Sequence, residues 1–294
     1  LKIRIEIPAW IKNAYKTVDS LFDRIAEHHT FLIASGLAFN ILLYLIPMFL
    51  LAIFVIGSYY DSAAAVEALS KLFENILPPG FQSGRIIDGI FQEVEFILDK
   101  KNIAGIIGFV STLWLASALL SSLRAGLNLV FGIESKRIFI IYRLKDLLLA
   151  LILMIFILII SFLYPAISYL KLMLNDTLPE FFDDFFFDLA DIFGSLILSF
   201  LFFVFIYKFI PGHSPEKSKV LLSSLICSFL VEVSRNAFAW YSAYIANYSK
   251  FYGGYAIIVT LALWIFYLSF IILFSAEIGV FVLNRIGKKS KTAA

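Results

Sequence analysis

Three runs in this chain contain no Asp, Glu, Lys or Arg: Phe31–Tyr60, Asn102–Leu123 and Leu147–Leu170. As a helix, roughly 20 apolar residues cross a hydrocarbon core of about 30 Å. Lipid offers backbone groups no hydrogen-bond partners, so only helices and closed barrels can span it. A barrel needs alternating segments of about 10 residues, and none is evident. Composition points the same way. Charged residues make up 16% of the chain and hydrophobic residues 61%, against about 25% charged in soluble domains. The expected fold is an all-α, polytopic membrane helix bundle.

Apolar segments suggest six transmembrane helices, at about 31–57, 103–123, 147–170, 189–207, 220–243 and 255–283. The first contains Pro47, which removes a backbone donor and is expected to kink it. The fourth ends on Lys208, whose side chain can snorkel to the interface. Six spans put both termini on one side, and Lys and Arg choose that side. It collects Lys2, Arg4, Lys12, Lys16 and Arg24, then Arg124, Lys136, Arg137, Arg143 and Lys145. Lys208, Lys217, Lys219, Arg285, Lys288, Lys289 and Lys291 join them. The opposite side holds Lys71, Arg85, Lys100, Lys101, Lys171 and Lys250. Both termini are therefore expected in the cytoplasm.

The domain reading follows: a cytoplasmic in-plane amphipathic segment over 1–30, a six-helix domain over 31–283 and a basic tail over 284–294. In the first segment Trp10, Ala14, Val18, Leu21, Phe22 and Ile25 suggest an apolar stripe beside Lys12, Lys16 and Arg24. Such a helix binds membrane lipids through its apolar face and anionic headgroups through its cations. The opening LKIRIEIPAWIKNAYK is too charged for the apolar region of a signal peptide.

Between the first two spans, Val66, Leu69, Leu72, Phe73 and Ile76 recur at helical spacing. Ile86, Ile90, Val94 and Ile97 do so after Pro78-Pro79-Gly80. An amphipathic outer helical hairpin is expected there. LPEFFDDFFFD, Leu178–Asp188, reads as a second outer loop with phenylalanines at the interface and carboxylates in water. Trp240, Tyr241, Tyr244, Tyr248, Phe251, Tyr252 and Tyr255 read as an aromatic belt.

The stretch SFLVEVSRNAFAW places Glu232 and Arg235 inside the fifth span. A charge at the bilayer centre costs several kcal/mol. Glu232 lies roughly 18 Å along that span, near mid-depth. The i, i+3 spacing lets the two pair on one face, with Asn236 adjacent. Asn40, roughly 15 Å into the first span, could reach the same level. Two readings stand. In one, Glu232, Arg235, Asn236 and Asn40 form a polar substrate or ion site near the midplane, where transporters bind their ligands. In the other, the charges only pair helices. Lower down, Arg124 and Glu277 have comparable depth, and Asn128 shares a face with Arg124. An Arg124–Glu277 pair is expected as an inner gate or helix clamp.

Single Cys227 excludes an internal disulfide. His28, His29 and His213 have no metal-ligand spacing, so no metal or other cofactor is expected. There is no Walker A sequence. The basic loops fit the orientation rule, so they are no sign of nucleic-acid binding.

Three stretches carry a family resemblance: ASGLAFNILLYLIPMFLLAIF, GFVSTLWLASALLSSLRAGLNLVFGI and FLVEVSRNAFAWYSAYIANYSKFYGGYAIIVTLALWIFYLSFIILFSAEI. The last carries Glu232, Trp240-Tyr241, Tyr252-Gly253, Leu263-Trp264 and Ala276-Glu277 in order. The chain resembles the YihY/BrkB family of bacterial inner-membrane proteins, over roughly Phe31 to Leu283. That resemblance implies a transporter or a lipid-handling protein, with an anionic lipid or a small anionic substrate as partner. A structural or partner-organising membrane protein is the alternative. The family has also carried a ribonuclease label, but no metal cluster or carboxylate–histidine constellation supports it here, so no enzyme is expected.

Overall fold

A computed structural model describes residues 9–59, 101–134, 140–153, 155, 180–244 and 256–293. The expected outer hairpin, most of the third span and the loop between the last two spans lie outside these residues. Seven helical stretches are described: α1 (Ala9–Glu27), α2 (Thr30–Tyr59), α3 (Lys101–Phe131), α4 (140–153), α5 (Glu180–Phe209), α6 (Lys217–Tyr244) and α7 (Ala256–Ala293).

Four of them are long and apolar enough to cross a bilayer, over Thr30–Val55, Asn102–Phe131, Lys217–Phe238 and Val259–Gly287. A shorter apolar stretch, Gly194–Phe209, belongs to α5. Several boundaries differ from the sequence reading. LPEFFDDFFFD is helical from Glu180 onward and forms the first turns of α5 rather than a loop. The basic segment 284–293 is not a separate tail but continues α7. Arg124 does not end its helix, because α3 runs on to Phe131.

Two junctions are fixed by local chemistry. α3 stops at Gly132, whose φ is 66°. The Gly132 N–H donates to Leu129 O at 3.2 Å and the Ile133 N–H to Asn128 O at 2.8 Å. This is the Schellman arrangement, with glycine where L-residues are strained. Between α1 and α2 the turn falls on His29, at φ 49°. The His29 N–H donates to Ala26 O, and its carbonyl accepts from the Ile33 N–H.

Lipid tails are as apolar as leucine, so helices in a membrane associate through close packing. Small residues permit it. A Cβ on Gly108 of α3 would lie 2.8 Å from the Leu51 backbone nitrogen of α2. A Cβ on Gly279 of α7 would lie 3.1 Å from Ser223 Cα of α6. α2 packs chiefly on α3 and α7, and α6 on α7 and α5. The shared core includes Leu37, Leu120, Leu127, Tyr207, Cys227 and Leu273. Tyr207, fully buried, donates its hydroxyl to Ile272 O at 2.7 Å. Pro47 is buried, and α2 is continuous through it.

Candidate functional site

The inward side of α6 is small and hydroxylated: Ser223, Ser224, Cys227, Ser228 and Ser234 are buried. Ser224 and Ser228 donate back to Val220 O at 2.8 Å and Leu225 O at 3.0 Å within the helix. This self-bonding satisfies a hydroxyl without a partner helix. The outward side carries Leu221, Leu225, Phe229 and Val233.

Glu232 and Arg235 fall towards that outward side. Arg235 Nη2 donates to Glu232 Oε1 at 2.6 Å, with side-chain exposures of 52% and 26%. Asn236 Nδ2 donates to the Glu232 backbone carbonyl at 2.9 Å. All of these contacts lie within α6. Half-buried Asn40 sits on α2, and among the described residues it makes no polar contact with this group. Glu232, Arg235 and Asn236 thus form one unit on a single helix, without Asn40.

At one end of the bundle, a second group is closed. Glu277 of α7 is 0% exposed. Arg24 of α1 donates from Nε to its Oε2 at 2.7 Å, and from Nη2 to Val130 O of α3 at 2.9 Å. His28 Nδ1 meets Oε1 of the same carboxylate. Glu277 therefore joins α1, α3 and α7. The expected Arg124–Glu277 pair is replaced: α1 folds back at His29 and brings Arg24 and His28, one helical turn apart, onto the carboxylate. The i, i+4 spacing of Arg24 and His28 is present in the sequence, but nothing local to it points to a carboxylate on a distant helix.

Arg124, nearly buried, turns to α4 instead. Its Nη2 pairs with Asp146 Oδ1, which is also buried. Its Nε donates to Ile210 O at 3.2 Å, and its guanidinium lies 4.7 Å from the Tyr142 ring centroid. Asn128 Oδ1 accepts the Gly212 N–H at 2.8 Å. Lys145 Nζ donates to Pro211 O at 3.1 Å. The C-terminal ends of α3 and α5 and the start of α4 are bound together here. Asp146 and Tyr142 were missed in the sequence because they precede the apolar run from Leu147 and read as loop. Among the described residues no group of three His, Cys, Asp or Glu side chains could hold a metal ion.

A bundle of long apolar helices, tied at one end by buried charge and carrying a charge pair within one span, defines an α-helical membrane protein. Comparison with known proteins agrees and narrows it. The chain belongs to the family described as Virulence factor BrkB, whose profile matches residues 21–294. It is similar to a UPF0761 membrane protein of Cronobacter sakazakii, 27% identical over 92% of this chain and 88% of that protein. A UPF0761 membrane protein of Legionella pneumophila is 24% identical over 84% of this chain, which spans 57% of the relative's length. One from Photobacterium profundum is 26% identical, over 87% of this chain and 77% of its own. No solved structure matches the chain.

Proposed function

We propose that this protein is a six-span transporter or lipid-handling protein of the bacterial inner membrane, with both termini in the cytoplasm and no catalytic step. The observation that carries the reading is the Glu232–Arg235 pair. It lies roughly 22 Å along α6 by helical rise, partly exposed, with both partners on the same helix. Ionisable residues at that depth are costly and often mark substrate or ion paths; this pair sits on the outward side of α6, so the path we propose runs along that side. The Glu277 group shows how this chain joins helices with charge: it buries the carboxylate and brings cations from another helix. Glu232 and Arg235 do neither. That contrast disfavours the structural or partner-organising reading for them.

In this reading Arg235 holds an anionic group, such as a lipid phosphate or a small anionic substrate, and Glu232 balances it or carries a cation or proton. Lipid contact at the inner surface falls to α1, which exposes Tyr15, Val18 and Phe22. Purified protein in liposomes tests the proposal, with uptake and lipid flipping followed for wild type, Glu232→Gln and Arg235→Ala. Loss in both variants at equal reconstitution supports the site. Wild-type rates in both would leave the structural reading.

A further inference from the structure

Around the Glu232–Arg235 pair, the same side of α6 exposes Leu221, Leu225, Phe229 and Val233. We propose that the pair receives a zwitterionic phospholipid sideways from the bilayer, with the lipid phosphate on Arg235 and a primary ammonium on Glu232. This inference rests on the reading of the pair as a ligand site and names the class of ligand.

Both partners keep bonding capacity while paired. They share one hydrogen bond, from Arg235 Nη2 to Glu232 Oε1 at 2.6 Å. A guanidinium has five N–H donors and a carboxylate has two acceptor oxygens. Among the described residues neither side chain has a second polar partner, and Asn236 touches only the backbone carbonyl of Glu232. The pair is compensated, so the ligand is not asked to supply a missing charge. A zwitterion laid antiparallel beside it adds two charge-assisted contacts and leaves the existing one in place. Arginine suits the phosphate geometry. A primary ammonium, like that of lysine, brings three donors to the carboxylate.

Net charge then selects among headgroups. The pair lies within the spanning stretch Lys217–Phe238, where uncompensated charge is heavily penalised. Glu232 and Arg235 sum to zero. An anionic headgroup would leave the complex charged, whereas a zwitterion leaves it neutral. A sugar headgroup is neutral too, but gains neither charge-assisted contact.

The route follows from what flanks the pair. Lys217, exposed at the start of α6, precedes Arg235 by 18 positions, which is five turns of about 3.6 residues. The two cations therefore share a side of the helix, roughly 27 Å apart by helical rise. Between them that side carries exposed Leu221 and Leu225, a surface as apolar as acyl chains. A lipid can keep its tails in the bilayer there while its headgroup passes from one cation to the next.

Lipid competition on the full chain tests this. In maltoside micelles, phosphatidylethanolamine, phosphatidylglycerol and a diglucosyl diacylglycerol with matched chains are added, and bound copies are counted by native mass spectrometry. Phosphatidylethanolamine should bind at least fivefold better than the other two. Glu232→Gln should reverse the order of the two phospholipids, because Arg235 is then unbalanced. Arg235→Gln should remove the advantage of both over the glycolipid. If the single variants do not fold, Glu232→Gln with Arg235→Gln carries no lone charge and should bind all three lipids alike. In vesicles, phosphatidylethanolamine with a photoreactive headgroup should crosslink to the stretch around Glu232 in the wild type and not in the double variant. Equal binding of the three lipids by the wild type overturns the inference, as does a preference that the double variant retains. Crosslinks confined to the Lys217 end do so too. If uptake in liposomes still depends on Glu232 and Arg235 after such a result, the broader reading of the site survives without its lipid. Uptake and flipping indifferent to both residues would remove that reading and this inference together.

Discussion

Arg24 of α1 and Glu277 of α7 are 253 positions apart and share a 2.7 Å hydrogen bond. Arg24 also reaches Val130 O on α3, so one guanidinium spans three helices. Removing one member of a buried pair leaves the other charge uncompensated, at a cost of about 3–5 kcal/mol. Arg24 is partly exposed and His28 still faces Glu277, which puts Arg24→Ala at the lower end of that range. Thermal unfolding in detergent should show Arg24→Ala clearly less stable than the wild type. In a double-mutant cycle, Arg24→Gln and Glu277→Gln should be strongly non-additive. Additive losses would mean that the two side chains do not interact.

Two backbone positions offer opposite tests of one principle. Gly132 takes φ 66° with open space around a would-be Cβ. Gly132→Ala therefore isolates the left-handed penalty, about 1–2 kcal/mol. His29 takes φ 49° without being glycine. His29→Gly should relieve strain and raise the unfolding temperature, while Gly132→Ala lowers it. A lower unfolding temperature for His29→Gly would instead show that the imidazole contributes more than its backbone costs.

Much of this arrangement was legible in the sequence. Charge-free runs marked α2 and α3, and the apolar run around Glu232 marked α6, because burying a charge in lipid is so costly that spans must be charge-poor. The i, i+3 pairing of Glu232 and Arg235 was legible for the same local reason. Long-range partners were not. Arg24, His28 and Glu277 meet only because the chain turns at His29, a residue that composition does not mark as a turn. Asp146 finds Arg124 because α4 starts earlier than its apolar run. Periodicity reports which face of one helix is apolar and says nothing about which helix will cover it.

Close contact between α6 and α7 makes a packing prediction. The Cβ of Gly279→Ala would sit 2.1 Å from Ser223 Oγ and 3.1 Å from Ser223 Cα. The hydroxyl can rotate away, but the backbone atom cannot. Overpacking of this kind costs typically about 1–3 kcal/mol. Gly279→Ala should lower stability, Gly279→Leu should abolish recovery of folded protein, and Gly279→Ala with Ser223→Gly should regain part of the loss. Wild-type behaviour of Gly279→Leu would show that the helices are further apart.

Depth along α1 can be read directly. Val18 and Phe22 are exposed on one side, while Asp19 and Asp23 are exposed beside them. If Val18 and Phe22 enter lipid, nitroxides at Val18→Cys and Phe22→Cys should respond more to oxygen than to a water-soluble nickel relaxant. Asp19→Cys and Asp23→Cys should show the reverse. Native Cys227 is fully buried, so labelling should stay confined to the introduced sites. Equal responses at all four positions would put α1 in water.

Glu232 and Arg235 allow a test of pairing apart from transport. Each single substitution leaves one charge in α6 without its 2.6 Å partner, whereas Glu232→Gln with Arg235→Gln removes both. A lone charge in a spanning helix is penalised by several kcal/mol, although snorkelling and water reduce the amount. Membrane insertion and yield should therefore fall in each single variant and recover in the double. Transport, if the pair is a ligand site, should fail in all three. Recovery of yield without activity separates the two roles on one set of proteins. Recovery of both would reduce the pair to a neutralised passenger of α6.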